Sequence, residues 1–66
     1  SEYVIKNYGR EILQYLRDQG YSSEDTEENI AEGLQGWYIE NESRIPANAA
    51  PLDRGPITYV LKAALG

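Results

Sequence analysis

The sequence predicts an all-α protein, a small three-helix bundle with helices roughly over residues 3–19, 24–41 and 56–65. Apolar residues recur at spacings of three and four in each segment, which is the period of an amphipathic helix. A long irregular connection is expected before the last helix, since the periodic pattern lapses there. A chain of 66 residues can bury only one small core, so residues 1–66 are expected to form a single domain.

The first predicted helix has a wide apolar arc. Val4, Tyr8 and Tyr15 lie on one flank of a central face whose members are Ile5, Gly9, Ile12 and Leu16. Gly20 follows as a C-terminal stop, because glycine readily adopts the left-handed conformation that ends many helices.

The second predicted helix follows a short turn in which Ser22 or Ser23 could serve as the N-cap, with Asp25 three residues after Ser22 as in a capping box. Acidic residues in its first turn complement the helix dipole, so they have a structural reason to be there. One face of this helix is formed by Ile30, Leu34, Trp37 and Asn41.

Glycines inside the first two helices predict close packing between them. Each costs about 1 kcal/mol relative to alanine, so a neighbouring group must use the space that the missing side chain leaves. We predict that Gly33 receives the ring of Tyr8 or Tyr15 and that Gly9 lies opposite Trp37.

The segment after Asn41 is predicted to be irregular because Pro46 and Pro51 interrupt regular structure. Ile45 and Leu52 are expected to hold this connection against the core.

The third predicted helix opens at Gly55-Pro56, since proline suits the first helical position. Tyr59 and Lys62 are expected to project away from a buried face formed by Ile57, Val60, Leu61 and Ala64. A strand over residues 57–61 is the alternative, because that stretch is rich in β-branched and aromatic residues.

Charge and composition restrict the function. The chain has a net charge of −5, and residues 21–43 contain seven carboxylates and no basic residue. This concentration of negative charge disfavours nucleic acid and anionic membranes as partners. No apolar run is long enough to span a bilayer, and the start of the chain lacks signal-peptide features, so we expect a cytoplasmic location. Without Cys or His, the usual nucleophiles, bases and zinc ligands are missing, and we expect no enzyme, no metal and no cofactor.

The aromatic residues suggest contact surfaces, since all seven large rings are Tyr or Trp. The candidate partner-binding residues are Ile39, Tyr59, Gly36, Tyr8 and Tyr15. Ile39 and Tyr59 fall opposite the apolar stripes and could form one exposed patch. Gly36 points away from the core stripe, so either a partner helix or a local kink would explain it. The leading hypothesis is a small helical protein-interaction module that self-associates, with a homodimer as the expected form, and that binds a protein partner of unknown identity.

Two other function classes remain open. Glu24, Glu28 and Glu32 recur once per turn as an acidic face, so the chain could be an inhibitor or regulator that imitates a phosphate backbone for a basic nucleic-acid-binding protein. The third class is a DNA-binding module. Gly20-Tyr21-Ser22, followed by Thr26, Ile30, Leu34 and Trp37, faintly resembles the helical core-binding domain of tyrosine recombinases, which implies a grip on DNA that the acidic charge opposes.

Overall fold

The computed structural model describes the backbone of residues 2–46 and 54–66, and the side chains of residues 3–46 and 57–66. The predicted all-α, three-helix architecture is confirmed. The helices are α1 (Glu2–Asp18), α2 (Glu27–Asn41) and α3 (Arg54–Leu65), with one 3₁₀ turn (Glu42–Arg44) directly after α2.

Contacts at the helix ends define how the three helices run. The Tyr8 hydroxyl near the start of α1 donates to the backbone carbonyl of Arg44, just beyond the end of α2. Near the other end of α1, Arg17 Nη2 donates to the carbonyl oxygen of Ala64 in α3 at 3.4 Å. α1 is therefore antiparallel to α2, and its C-terminal end lies beside the C-terminal end of α3.

α1 ends in a Schellman motif built on Gly20, which confirms the predicted stop. The amide of Tyr21 donates to the carbonyl of Leu16 at 2.9 Å, and the amide of Gly20 donates to the carbonyl of Arg17 at 3.0 Å. Gly20 has a φ of 92°, which lies in the region that favours glycine. The motif turns the chain back so that Tyr21 meets the last turns of α1.

α2 begins three residues later than predicted, at Glu27, with Thr26 as its N-cap. Thr26 Oγ1 accepts from the amide of Asn29 at 3.1 Å. The predicted serine cap is wrong, although Ser22 and Asp25 do bond to each other: the Ser22 amide donates to Asp25 Oδ2 at 2.8 Å and the Asp25 amide donates to the Ser22 carbonyl at 3.1 Å. They close a turn that precedes the helix.

A lysine from α3 explains why the helix does not start earlier. Lys62 Nζ donates to the carbonyl of Ser23 at 2.5 Å and to the carbonyl of Asp25 at 2.6 Å. These two carbonyls point at the ammonium group, so they are not aligned along a helix axis as earlier residues of α2 would require.

The core lies where the three helices meet, and its buried side chains are Val4, Ile12, Leu16, Ile30, Leu34, Trp37, Ile45, Ile57 and Leu61. Ile45 holds the chain after α2 against this core, as predicted. Leu52 lies outside the described residues. Val4, predicted on the flank of the apolar arc, is buried, whereas Ile5 and Gly9, predicted at its centre, are only half-buried. The buried face of α1 is therefore rotated toward Val4.

The buried face of α3 is also rotated from the predicted one. Ile57 and Leu61 are buried as expected, but Val60 is 47% exposed and Ala64 is exposed. Thr58 is buried instead, at 2% exposure. No buried side-chain nitrogen or oxygen in the described residues lacks a hydrogen-bond partner, so the core accepts this hydroxyl without an unsatisfied polar group.

Gly33 in α2 packs tightly against residues at the end of α1 and in the turn that follows it. A Cβ added there would lie 2.6 Å from Leu16 Cδ2 and 2.8 Å from Tyr21 Cε2. A ring does use the space, but it comes from the turn after α1, so the prediction of Tyr8 or Tyr15 is wrong.

Gly9 has no such role. A Cβ there would meet only Ile5 Cγ2 of its own helix, at 3.8 Å, so the predicted contact with Trp37 is wrong. Trp37 packs against the ring of Tyr8, with ring centroids 5.5 Å apart.

Replacing these two glycines by alanine should change stability in opposite directions. Gly33→Ala forces a methyl group into a closed contact with Leu16 and Tyr21, and we expect a net loss of about 1–2 kcal/mol of unfolding free energy. Gly9→Ala meets open space and removes the conformational freedom of glycine, so we expect a gain of about 0.5–1 kcal/mol. Urea unfolding of both variants measures the difference, and equal effects at the two sites would contradict the packing described above.

Candidate interaction surfaces

Two of the five candidate partner-binding residues lie in the seam between α1 and α2. The Tyr8 ring packs on Trp37, and its hydroxyl donates to the Arg44 carbonyl at 3.1 Å. The Tyr15 hydroxyl donates to Glu40 Oε2 at 3.1 Å. Both rings are half-buried, and each joins α1 to the C-terminal end of α2.

Gly36 also belongs to this seam. A Cβ there would lie 3.1 Å from Tyr15 Oη, so the expectation that packing within the chain leaves Gly36 unexplained is wrong. Burial and the hydrogen bond to Glu40 both raise the pKa of the Tyr15 hydroxyl, because each favours its protonated form. The glycine gives this hydroxyl room to reach Glu40.

An ion pair between Glu11 and Arg44 also joins α1 to the end of α2 in this seam. Arg44 Nη1 and Nη2 donate to the two carboxylate oxygens of Glu11 at 2.7 and 3.0 Å, and Nη1 also donates to Asn41 Oδ1 at 2.7 Å. The guanidinium lies 5.5 Å from the centroid of the Tyr8 ring. Its hydrogen bonds lower the pKa of Glu11, and the same pairing raises the pKa of Arg44.

The groove beside this ion pair has a volume of about 420 Å³ and is lined by Glu11, Gln14, Tyr15, Asp18, Trp37 and Asn41. Its polar groups bond to one another or to residues beside the groove; Gln14 Nε2, for example, donates to Asp18 Oδ1 at 2.9 Å, and the Tyr15 hydroxyl donates to Glu40. A carboxyl group with a lowered pKa, such as Glu11, is a poor proton donor near neutral pH. The hydrogen bonds of Tyr15 and Glu11 at this groove join α1 to the end of α2.

Ile39 and Tyr59 are exposed as predicted, at 61% and 67%, but they do not form one patch. Tyr59 lines a groove of about 310 Å³ together with Ser23 and Glu27, at the start of α2. Ile39 lies twelve residues beyond Glu27, which is about 18 Å along a helix. The two side chains lie at different ends of α2.

The outward side of α3 is a more continuous candidate surface. Apart from Gly66, the exposed residues in the range 57–66 are Tyr59, Val60, Ala63 and Ala64, which we call the outer face. None of them is charged. Lys62, predicted to project away from the bundle, is half-buried and donates to the turn before α2. The outer face therefore presents an aromatic ring and aliphatic side chains to solvent without a charge among them.

Sequence reasoning identified Tyr59 on this surface but missed Val60, Ala63 and Ala64. The signal was present: an exposed helix face normally carries charged or amide side chains, and beyond Lys62 the sequence has none. Because Val60 and Ala64 were predicted to lie in the core, the lack of charge on the exposed side of α3 was not recognised.

The predicted acidic face is shorter than expected. Glu28 and Glu32 are exposed and lie one turn apart in α2. Glu24 lies in the turn before the helix, so the prediction that it continues the same helical row is wrong.

Comparison of the chain with protein-family models, curated protein sequences and solved structures finds no match. Within residues 2–46 and 54–66, none of the helices has both the length and the apolar composition to cross a membrane. The same part of the chain contains no group of three acidic residues that could hold a metal ion.

Removing the Lys62 ammonium group should destabilise the protein. Lys62→Met keeps the length of the side chain but leaves the carbonyls of Ser23 and Asp25 without their donor, and we expect a loss of about 1–3 kcal/mol in urea unfolding. Lys6→Met on the exposed surface of α1 is the matched control and should change stability by no more than about 0.5 kcal/mol. Equal effects of the two variants would show that Lys62 does not hold the turn.

The ion pair of Glu11 predicts a pH dependence. Because the pKa of Glu11 is lower in the folded chain than its ordinary value of 4.5, the pair stabilises the fold above that pH, and the stabilisation is lost as the pH falls through the lowered pKa. Glu11→Gln should therefore unfold at a lower urea concentration than the wild type at pH 7, and the difference should close below pH 4.5. Glu32→Gln, an exposed control, should show no such convergence; a constant gap for Glu11→Gln down to acid pH would contradict the assignment.

Proposed function

We propose that this chain is a small non-enzymatic helical module that acts by binding a protein partner, including copies of itself, through the outer face of α3. One observation carries the proposal: Tyr59, the most exposed large hydrophobic side chain among the described residues, stands on an outer face whose four residues are all uncharged, with Glu27 and Lys62 at its border. Exposed apolar surface of this kind marks contact sites, and tyrosine is enriched where binding energy concentrates.

The other aromatic candidates support this assignment by elimination. The side chains of Tyr8 and Tyr15 already make contacts between α1 and the end of α2. A partner that bound either ring would have to break these contacts and open the bundle. Tyr59 can be covered by a partner without any change in the fold.

The acidic-regulator alternative has less support from the geometry. Imitation of a phosphate backbone needs an evenly spaced row of charges, and only Glu28 and Glu32 of the predicted row lie on one helix face. For a DNA-binding module, no observation adds to the sequence resemblance.

Tyr59→Ser tests the proposal. Because the side chain is mostly exposed, we expect the variant to keep the wild-type melting temperature within about 3 °C while losing the proteins that the immobilised wild type captures from its native host. Ile39→Ser removes an equally exposed apolar side chain far from the outer face and should retain them. Retention by the Tyr59 variant, or equal loss by both, would refute the role of the outer face.

A further inference from the structure

α1 carries all of its cations on one edge, next to α3. Lys6, Arg10 and Arg17 are exposed and fall within about 40° of each other around the helix, given a rotation of about 100° per residue. The hydrogen bond from Arg17 to the carbonyl of Ala64 places the C-terminal end of this basic edge beside α3, and Arg10 and Lys6 continue the edge toward the start of α1. Leu13, which is half-buried, lies on the same edge and adds an aliphatic side chain to it.

The opposite border of α3 is acidic. The bonds from Lys62 to the carbonyls of Ser23 and Asp25 bring the turn before α2 onto α3. Glu24 in this turn and Glu27 at the start of α2 are both exposed, and Glu27 lines the groove that contains Tyr59. These two carboxylates form the acidic edge. The ammonium of Lys62 donates to backbone carbonyls and lines the same groove, and the carboxylates of Glu24, Asp25 and Glu27 outnumber its single positive charge.

The outer face therefore lies between borders of opposite charge. Val60 and Ala64 lie toward the basic edge, and Tyr59 and Ala63 lie toward the acidic edge. The two halves differ in shape as well as in charge, because one offers aliphatic side chains and the other offers an exposed ring. Each half has the features that the other half of a second copy would match.

We propose that the protein forms a two-fold symmetric dimer through the outer face, with the basic edge of each copy on the acidic edge of the other, and with Tyr59 of each copy packing against Leu13 and Val60 of its partner. This inference rests on the proposed function and names its partner.

A two-fold axis parallel to α3 places the basic edge of each copy opposite the acidic edge of the other, whereas a two-fold axis across α3 would place like charges opposite each other. The four residues of the outer face alone are far fewer than the roughly 20–30 residues that each partner contributes to a standard interface. Contacts along both edges add charged residues of both signs to the buried surface. Because each copy uses the same surface, the contact closes at two copies.

Two variants test this arrangement. Lys6→Gln with Arg10→Gln neutralises the basic edge, and Glu24→Gln with Glu27→Gln neutralises the acidic edge. In sedimentation across a dilution series at low salt, the wild type should form dimers and no larger species. Each variant alone should need about tenfold more protein to associate. Their equimolar mixture should form a 1:1 complex at a lower concentration than either variant alone, since one intact pair of edges remains between them.

Glu32→Gln with Glu42→Gln is the matched control, because it makes the same change in net charge away from α3. It should associate like the wild type, and higher salt should weaken the wild type's association through screening of the edges.

The inference is overturned if the wild type is a monomer throughout, grows beyond two copies, fails to give the mixed 1:1 complex, or is weakened by the control as much as by the edge variants. A monomeric wild type that still captures host proteins through Tyr59 would overturn self-association while leaving the interaction module intact. Loss of both results would remove the proposed function as well.

Discussion

The packing of α1 against α2 depends on one close contact, where Leu16 and Tyr21 occupy the space that a side chain at Gly33 would need. The contact has a local origin, because the Schellman turn at Gly20 brings Tyr21 back beside Leu16 before the chain enters α2. A backbone feature at the end of one helix thus supplies the ring that the next helix accommodates. The Tyr8 ring, the Tyr15 hydroxyl and the Glu11–Arg44 pair add to this contact elsewhere along the two helices.

The second constraint is the pair of hydrogen bonds by which Lys62 in α3 holds the turn at residues 22–26. Its ammonium group donates to the carbonyls of Ser23 and Asp25, which precede the first residue of α2. The same bonds hold the cation beside the turn, at the border of α3. The outer face next to it, with Tyr59 and Val60 at its centre, contains no charged residue. One interaction therefore both ties the turn to α3 and positions a charge at the border of the candidate contact surface.

The sequence was sufficient for the existence of the three helices and for the stop at Gly20, because helical periodicity and the left-handed preference of glycine are local properties. It was insufficient for the start of α2: Ser22 and Thr26 both have capping chemistry, and the choice depends on Lys62, forty residues after Ser22. The rotation of α3 about its own axis could not be predicted from the sequence either. A helical period defines a stripe only to within a residue or so, and burial of Thr58 in place of Val60 depends on a hydrogen bond that no periodic pattern records.

The acidic run in residues 21–43 shows how the fold redistributes a charge pattern. Glu40 accepts from Tyr15 inside the α1–α2 seam, whereas Glu24 and Glu27 border α3 opposite Arg17 and its neighbours. The run is continuous in sequence but serves different surfaces in the folded chain, so net charge is a weak guide to the partner. Charges at the rim of an apolar surface influence orientation and encounter rate more than affinity. An apolar face with opposite charges on its two borders therefore favours one orientation of a bound partner, and a second copy related by a two-fold axis presents the matching charges.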